Sequence, residues 1–228
     1  MQPQGRSGSS LAPPARITLR PLGSPMPLGL AGLTIASLLV SGLDLGWVPT
    51  AQSHEVGVVL LAAAVPLQLL ACGVAFPGRD GAAATSMGIL AATWAALGLT
   101  RLTSPPGTTS HVLGLELLAA GALLLGAALA QSSGKPLVGG LLVLAAARFG
   151  INGVYELTGG GGWQTASGWV GLVVLALALY TNWALVFEEA RDRPVLPVGR
   201  RGRARRSPAP GSDHPDGVTR EAGLRAQL

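Results

Sequence analysis

The sequence predicts an all-α fold, a polytopic membrane protein whose six transmembrane helices form one bundle between disordered ends. Composition is the first reason, since the 228 residues are 49% apolar and only 12% charged. Spacing is the second. Between Pro27 and Ala190 only eleven acidic or basic residues occur, and apolar runs of about 20 residues, enough to cross about 30 Å of hydrocarbon as a helix, recur along that stretch. Turn-forming groups of glycine, proline and polar residues separate the runs.

Residues 1 to 23 form a leader of Gly, Pro and Ser that cannot bury a core and is expected to be disordered. It lacks the continuous apolar stretch of a cleavable signal peptide. The first span covers about 27–48. Pro25 or Pro27 can open it, because proline at a first helical position sacrifices no intrahelical hydrogen bond, and the N–H groups of Leu28, Gly29 and Leu30 are expected to remain free as an anion-attracting helix start. Asp44, Gly46, Trp47 and Pro49 end it. The second span, about 56–76, contains Gln68 and Pro66, and the proline is expected to kink it. After the turn Pro77-Gly78-Arg79-Asp80-Gly81, span three runs over about 82–99 with Thr85, Thr93 and Trp94. Span four, about 111–130, carries Glu116. Span five, about 137–157, carries Arg148, Asn152, Tyr155 and Glu156. The run Gly159 to Gly162 precedes span six, about 166–188, and from residue 191 to 228 a basic tail is expected to be disordered.

Charge placement gives an orientation. The leader, second loop, fourth loop and tail hold 3, 1, 1 and 9 Lys and Arg, whereas the other three loops hold only Arg101. Both termini are therefore expected on the cytoplasmic side of a cell inner (plasma) membrane. Five arginines fall between Arg200 and Arg206. Directly after a span, such a cluster reads as a topology signal and a contact with anionic membrane lipid, each residue contributing about 1 kcal/mol, so no nucleic-acid partner is inferred.

Arg148 is the most informative residue. It falls near the middle of span five, where a charged side chain costs about 2.5–3.5 kcal/mol even on the mildest insertion scales. Asn152 and Glu156 follow at four-residue steps on the same helix face, so that face is expected to look into the bundle or a pore, with Glu116 of span four as the ion-pair partner of Arg148. Catalysis finds no support: there is no zinc-protease, nucleophile-elbow or phosphate-loop motif, and the single Cys72 excludes an intrachain disulfide or a cysteine metal site. No enzyme activity and no cofactor are expected. His54 and His111 fall at loop edges, where histidine is usually solvated.

Two motifs carry a family resemblance. Ser24-Pro25-Met26-Pro27-Leu28-Gly29-Leu30 is close to the Asn-Pro-Ala-Pro-Leu-Gly-Leu signature of the acetate uptake transporter family. Gly168-Trp169-Val170-Gly171, followed by Arg193-Pro194-Val195-Leu196-Pro197-Val198-Gly199, is similar to that family's sixth helix and its exit. Gln68, Thr85 and Trp94 fall where the family has the same residue types, and the likeness spans about residues 24–199. It departs at Leu90, where the family has Tyr, and at Leu33, where it has Phe. The resemblance implies a pore through each protomer, a midway narrowing that is aliphatic in this chain, and a hexamer. The function expected is a permease or channel for small monocarboxylates such as acetate, proton-linked, with Pro27, Leu28, Gly29 and Leu30 at the cytoplasmic mouth and Leu33, Gln68, Thr85, Leu90, Arg148 and Asn152 lining the path of a small carboxylate anion. Two other readings stay open, a passive pore for ammonia, water or another small solute, and a non-transporting membrane scaffold subunit.

Overall fold

Proline needs no acceptor for a missing N–H, and helix α1 (Met26–Asp44) begins accordingly, with Pro25 as its N-cap and Pro27 in its first turn. The computed structural model describes residues 23–78, 80–132, 134–191 and 195–198. The leader and nearly all of the arginine-rich tail, whose disorder the sequence predicts, lie outside the described residues. The remaining helices are α2 (Thr50–Ala75), α3 (Gly81–Thr103), α4 (His111–Ser132), α5 (Pro136–Thr158) and α6 (Gly161–Arg191), each long and apolar enough to cross a membrane. The chain is thus a multi-pass helical membrane protein.

Local chemistry sets the boundaries. Asp80 caps α3 by accepting the Ala83 N–H at 3.0 Å. Gly159 closes α5 at φ +70°, a left-handed value that glycine adopts without penalty. The glycines after it join α6, which therefore starts five residues earlier than the sequence suggests and at 31 residues reaches about 46 Å. Helix α2 starts earlier too, through a 3₁₀ turn at Thr50–Gln52. Its predicted distortion is a widened π turn at Leu60–Ala64, just ahead of Pro66. A proline there lacks a donor and crowds the carbonyl one turn back, and the wider turn relieves both faults.

Small residues pair the helices. Helices α1 and α6, α2 and α3, and α4 and α5 form the three most extensive contacts. Gly57 and Gly98 bring α2 onto α3, and Gly114 and Gly153 do the same for α4 and α5; a Cβ at Gly57 would stand 2.7 Å from the Gly98 carbonyl oxygen. Inside, Leu30, Leu33, Leu60, Met87, Leu90 and Phe149 are buried. Outside, Leu69, Leu70, Phe76, Val112, Leu123 and Leu129 are exposed. That greasy exterior suits lipid, where only structures with internally satisfied backbone persist.

Candidate functional site

Each helix can be measured from the side on which α1 begins, the near side, at 1.5 Å per residue. Measured so, the buried polar side chains separate into two layers with an aliphatic layer between them.

The near layer joins four helices in two pairs. Gln68 of α2 is fully buried and donates to the Gly29 carbonyl of α1 at 3.4 Å. Gln131 of α4 donates to Ser86 Oγ and to the Ala82 carbonyl of α3, both at 3.4 Å. Further out at this end, a cleft is lined by Ser24, Met26, Lys135, Thr181, Leu185 and Val198. Both sequence motifs therefore meet at one place, the proline-rich start of α1 and the described part of the exit after α6. Two bonds hold them: the Asn182 amide donates to the Pro27 carbonyl, and Tyr180 Oη donates to the Pro197 carbonyl at 3.0 Å. The Gly29 N–H bonds to the Pro25 carbonyl at 3.2 Å. It is not a free donor, so the expected cradle of three open N–H groups at Leu28, Gly29 and Leu30 is corrected: starting the helix at Met26 lets an acceptor reach the fourth residue.

The middle layer is aliphatic. Leu33 and Leu90 are at most 1% exposed, and on the near side of them Met87 packs its sulfur against Gly29.

The far layer is built around Arg148. Its side chain is buried at 1% exposure, so it faces the bundle as its four-residue spacing with Asn152 predicts. Its Nη2 donates to Ser41 Oγ of α1 at 3.3 Å, and its Cζ lies 5.7 Å from the centroid of the Trp94 ring of α3, close enough for a cation–π attraction. Trp94 is set in turn by an edge-on contact with Phe149, ring centroids 5.2 Å apart. Gly171 of α6 makes the space, because a Cβ there would come within 2.6 Å of Cζ. Arg148 Nη1, Asn152 Oδ1, Trp94 Nε1 and Ser37 Oγ are buried without a hydrogen-bond partner. Two N–H donors, a hydroxyl and an amide oxygen thus retain bonding capacity in a region where an unmet polar group is expensive. At the far end Asp44 accepts from Ser167 Oγ of α6 at 3.1 Å. Arg101 pairs with Glu156 at 3.0 Å, and Glu156 also accepts the Ser110 N–H at 2.7 Å.

The predicted Arg148–Glu116 ion pair does not form. Glu116 accepts from Thr93 Oγ1 of α3 at 3.0 Å, and the side chain that Arg148 engages is Ser41, one turn before Asp44 on α1. Helix phase explains the miss. The α4–α5 seam uses Gly114 and Gly121 against Ala146, Gly150 and Gly153, and both Glu116 and Arg148 stand two residues off that seam, turned about 160° away from it. Thr85 is likewise corrected: it is exposed on the outer face of α3, and its neighbour Ser86 is the residue turned inward. Leu28 is also largely outward, at 37% exposure. Pro27, Gly29, Leu30, Leu33, Gln68, Leu90, Arg148 and Asn152 are buried or half-buried within the bundle. The sequence reading missed the stripe Ser37, Ser41 and Asp44 on α1, although its steps of four and three residues were a usable signal.

A search of solved structures finds "Structure of the bacterial acetate channel SatP", with a TM-score of 0.70 and 22% sequence identity, over 78% of this chain and 100% of that one. The chain has the fold of an acetate channel. No family model and no curated protein sequence matches it. The two polar layers with leucines between them are therefore set on the fold this chain shares with SatP, with a sequence that is largely its own.

Proposed function

We propose that this protein is a membrane channel or permease for small monocarboxylates such as acetate. The observation that carries the reading is Arg148, a buried cation with an unengaged Nη1 at the centre of a bundle that shares its fold with an acetate channel. A buried guanidinium is costly to retain, and donors aimed inward compensate a carboxylate for the water it sheds. The path runs from the mouth at Pro27, Gly29 and Leu30, past Gln68, through the constriction of Leu33 and Leu90, to Arg148 and Asn152. An aliphatic constriction suits a solute with a methyl end and penalises larger or doubly charged acids. Thr85 has no part in this path. The reading extends to an inner membrane with both termini in the cytoplasm, surrounding lipid, a hexamer of protomers each with its own path, and proton linkage.

Liposomes containing the purified protein test it. Uptake of labelled acetate should exceed that of protein-free vesicles and rise further with an inward pH gradient, and Arg148→Gln, assembled like the wild type, should lose at least about tenfold of the protein-dependent rate. Acetate that enters no faster than in empty vesicles, while ammonia or water does, would favour the passive pore. Unchanged flux in well-assembled Arg148→Gln would remove Arg148 from the path.

A further inference from the structure

Asp44 is a buried acid of the far layer whose role is still open. It is 7% exposed at the end of α1, and Ser41, one turn earlier on the same face, receives the Arg148 Nη2 bond. Among the described residues no carboxylate comes within the 4.0 Å of a direct ion pair with Arg148, so Asp44 acts on it through space. Three helices bring charged or hydrogen-bonding groups to the surroundings of Asp44. Helix α5 presents Arg148, Tyr155 and Glu156, α3 presents Arg101, and α6 presents the Ser167 hydroxyl. Arg101 and Glu156 are committed to each other, and the second oxygen of Glu156 holds the Ser110 N–H. Protonating Glu156 would remove the charge that pairs Arg101 and weaken the bond from Ser110, whereas among the described residues Asp44 has only the Ser167 bond to adjust. Of the charges around Asp44, Arg148 alone is therefore not committed to another charge.

We propose that Asp44 is the proton acceptor of the Arg148 site: ionised, it balances Arg148 while no substrate is bound, and it takes up one proton when a monocarboxylate settles on Arg148. No covalent bond changes. The proton adds to an Asp44 oxygen, the substrate carboxylate accepts from Nη1–H, and the net charge of the site stays the same before and after binding. With Asp44 ionised, an arriving anion meets a neutralised arginine and a repelling carboxylate, and one proton removes both obstacles. Proton and anion then raise each other's affinity by the same factor, as linkage requires. This rests on Arg148 being the anion contact, and it assigns the coupling to a named residue.

Acetate affinity of the purified protein in lipid nanodiscs, followed by NMR titration over about three pH units above the range in which acetate itself protonates, separates the two ideas. Wild type should bind more tightly by up to about tenfold per unit as pH falls. Asp44→Asn, which keeps an acceptor for Ser167, should bind with a flat profile, and Asp44→Glu should restore the slope. A slope that survives in Asp44→Asn overturns the proposal, because the proton then rides on the acid, and leaves the Arg148 reading intact. If Asp44→Asn fails to assemble, the slope is read in Asp44→Glu alone, where a profile superimposable on wild type counts against the assignment and a displaced one supports it. Wild-type affinity that Arg148→Gln does not diminish would instead defeat the underlying reading of the site.

Discussion

Arg101 and Glu156 show how much a single residue can matter at the far end of the bundle. Glu156 holds Arg101 on one oxygen and a backbone N–H on the other, and both side chains are at least 90% buried. Removing one member of such a pair leaves an uncompensated charge. Arg101→Ala should therefore cost about 3–5 kcal/mol, read as a large drop in detergent-solubilised Tm, whereas Arg101→Met combined with Glu156→Gln should recover much of it. Asp80 and Lys135, 2.9 Å apart near the other surface, represent the opposite case. Burial works against ionisation of Asp80, but the Lys135 charge and the bonds from Ala83 and Lys135 outweigh it and hold the carboxyl below its ordinary 3.8. A lowered folded value means that the stabilisation is present above the unfolded value and fades as pH falls through the folded one. The side chains are 35–38% exposed, so screening keeps the benefit under about 1 kcal/mol. The Tm gap between wild type and Asp80→Asn should be small near neutrality and close in acid.

At the scale of an element, the π turn of α2 and the start of α1 are mutually dependent. A Cβ at Gly32 would stand 2.9 Å from both the Ala64 carbonyl oxygen and Gln68 Cγ, so the widened turn lies directly against α1. Gly32→Val should destabilise by about 1–3 kcal/mol through overpacking and disturb the Gln68 bond to Gly29, which thermal unfolding and acetate uptake would register together. The elements themselves were legible in the sequence. Apolar length and turn residues located six spans, and the proline in span two announced its distortion. Partners were less legible, because hydropathy around these helices is nearly uniform and gives no phase. Four-residue spacing turned Arg148 and Asn152 inward correctly, yet nothing in it distinguished Glu116 from Asp44 as the acid that Arg148 would feel. Thr85 against Ser86 is the same difficulty one residue wide: both are small hydroxyls, and only packing decides which one faces the interior.

For the whole molecule, the likeness to a solved acetate channel at 22% identity means that the fold persists under a largely different sequence. The aliphatic layer can be tested in this chain directly. If Leu33 and Leu90 set the width of the path, Leu90→Ala should admit a longer monocarboxylate such as butyrate while acetate flux stays the same or rises, measured by competition between labelled acids in liposomes. Unchanged size selectivity would move the constriction elsewhere.

The pairing of α1 with α6 has a consequence for biogenesis. Helix α1 emerges from the ribosome well before its main mate α6, which it meets through Gly168, Gly171 and the Asn182 amide on Pro27. Until that late arrival, Ser37, Ser41 and Asp44 have no wall on that side, so an unfinished chain carries a hydrophilic seam that quality-control proteases can recognise. A nascent chain halted before Gly161 should accordingly be degraded faster than the full-length product in a pulse-chase experiment.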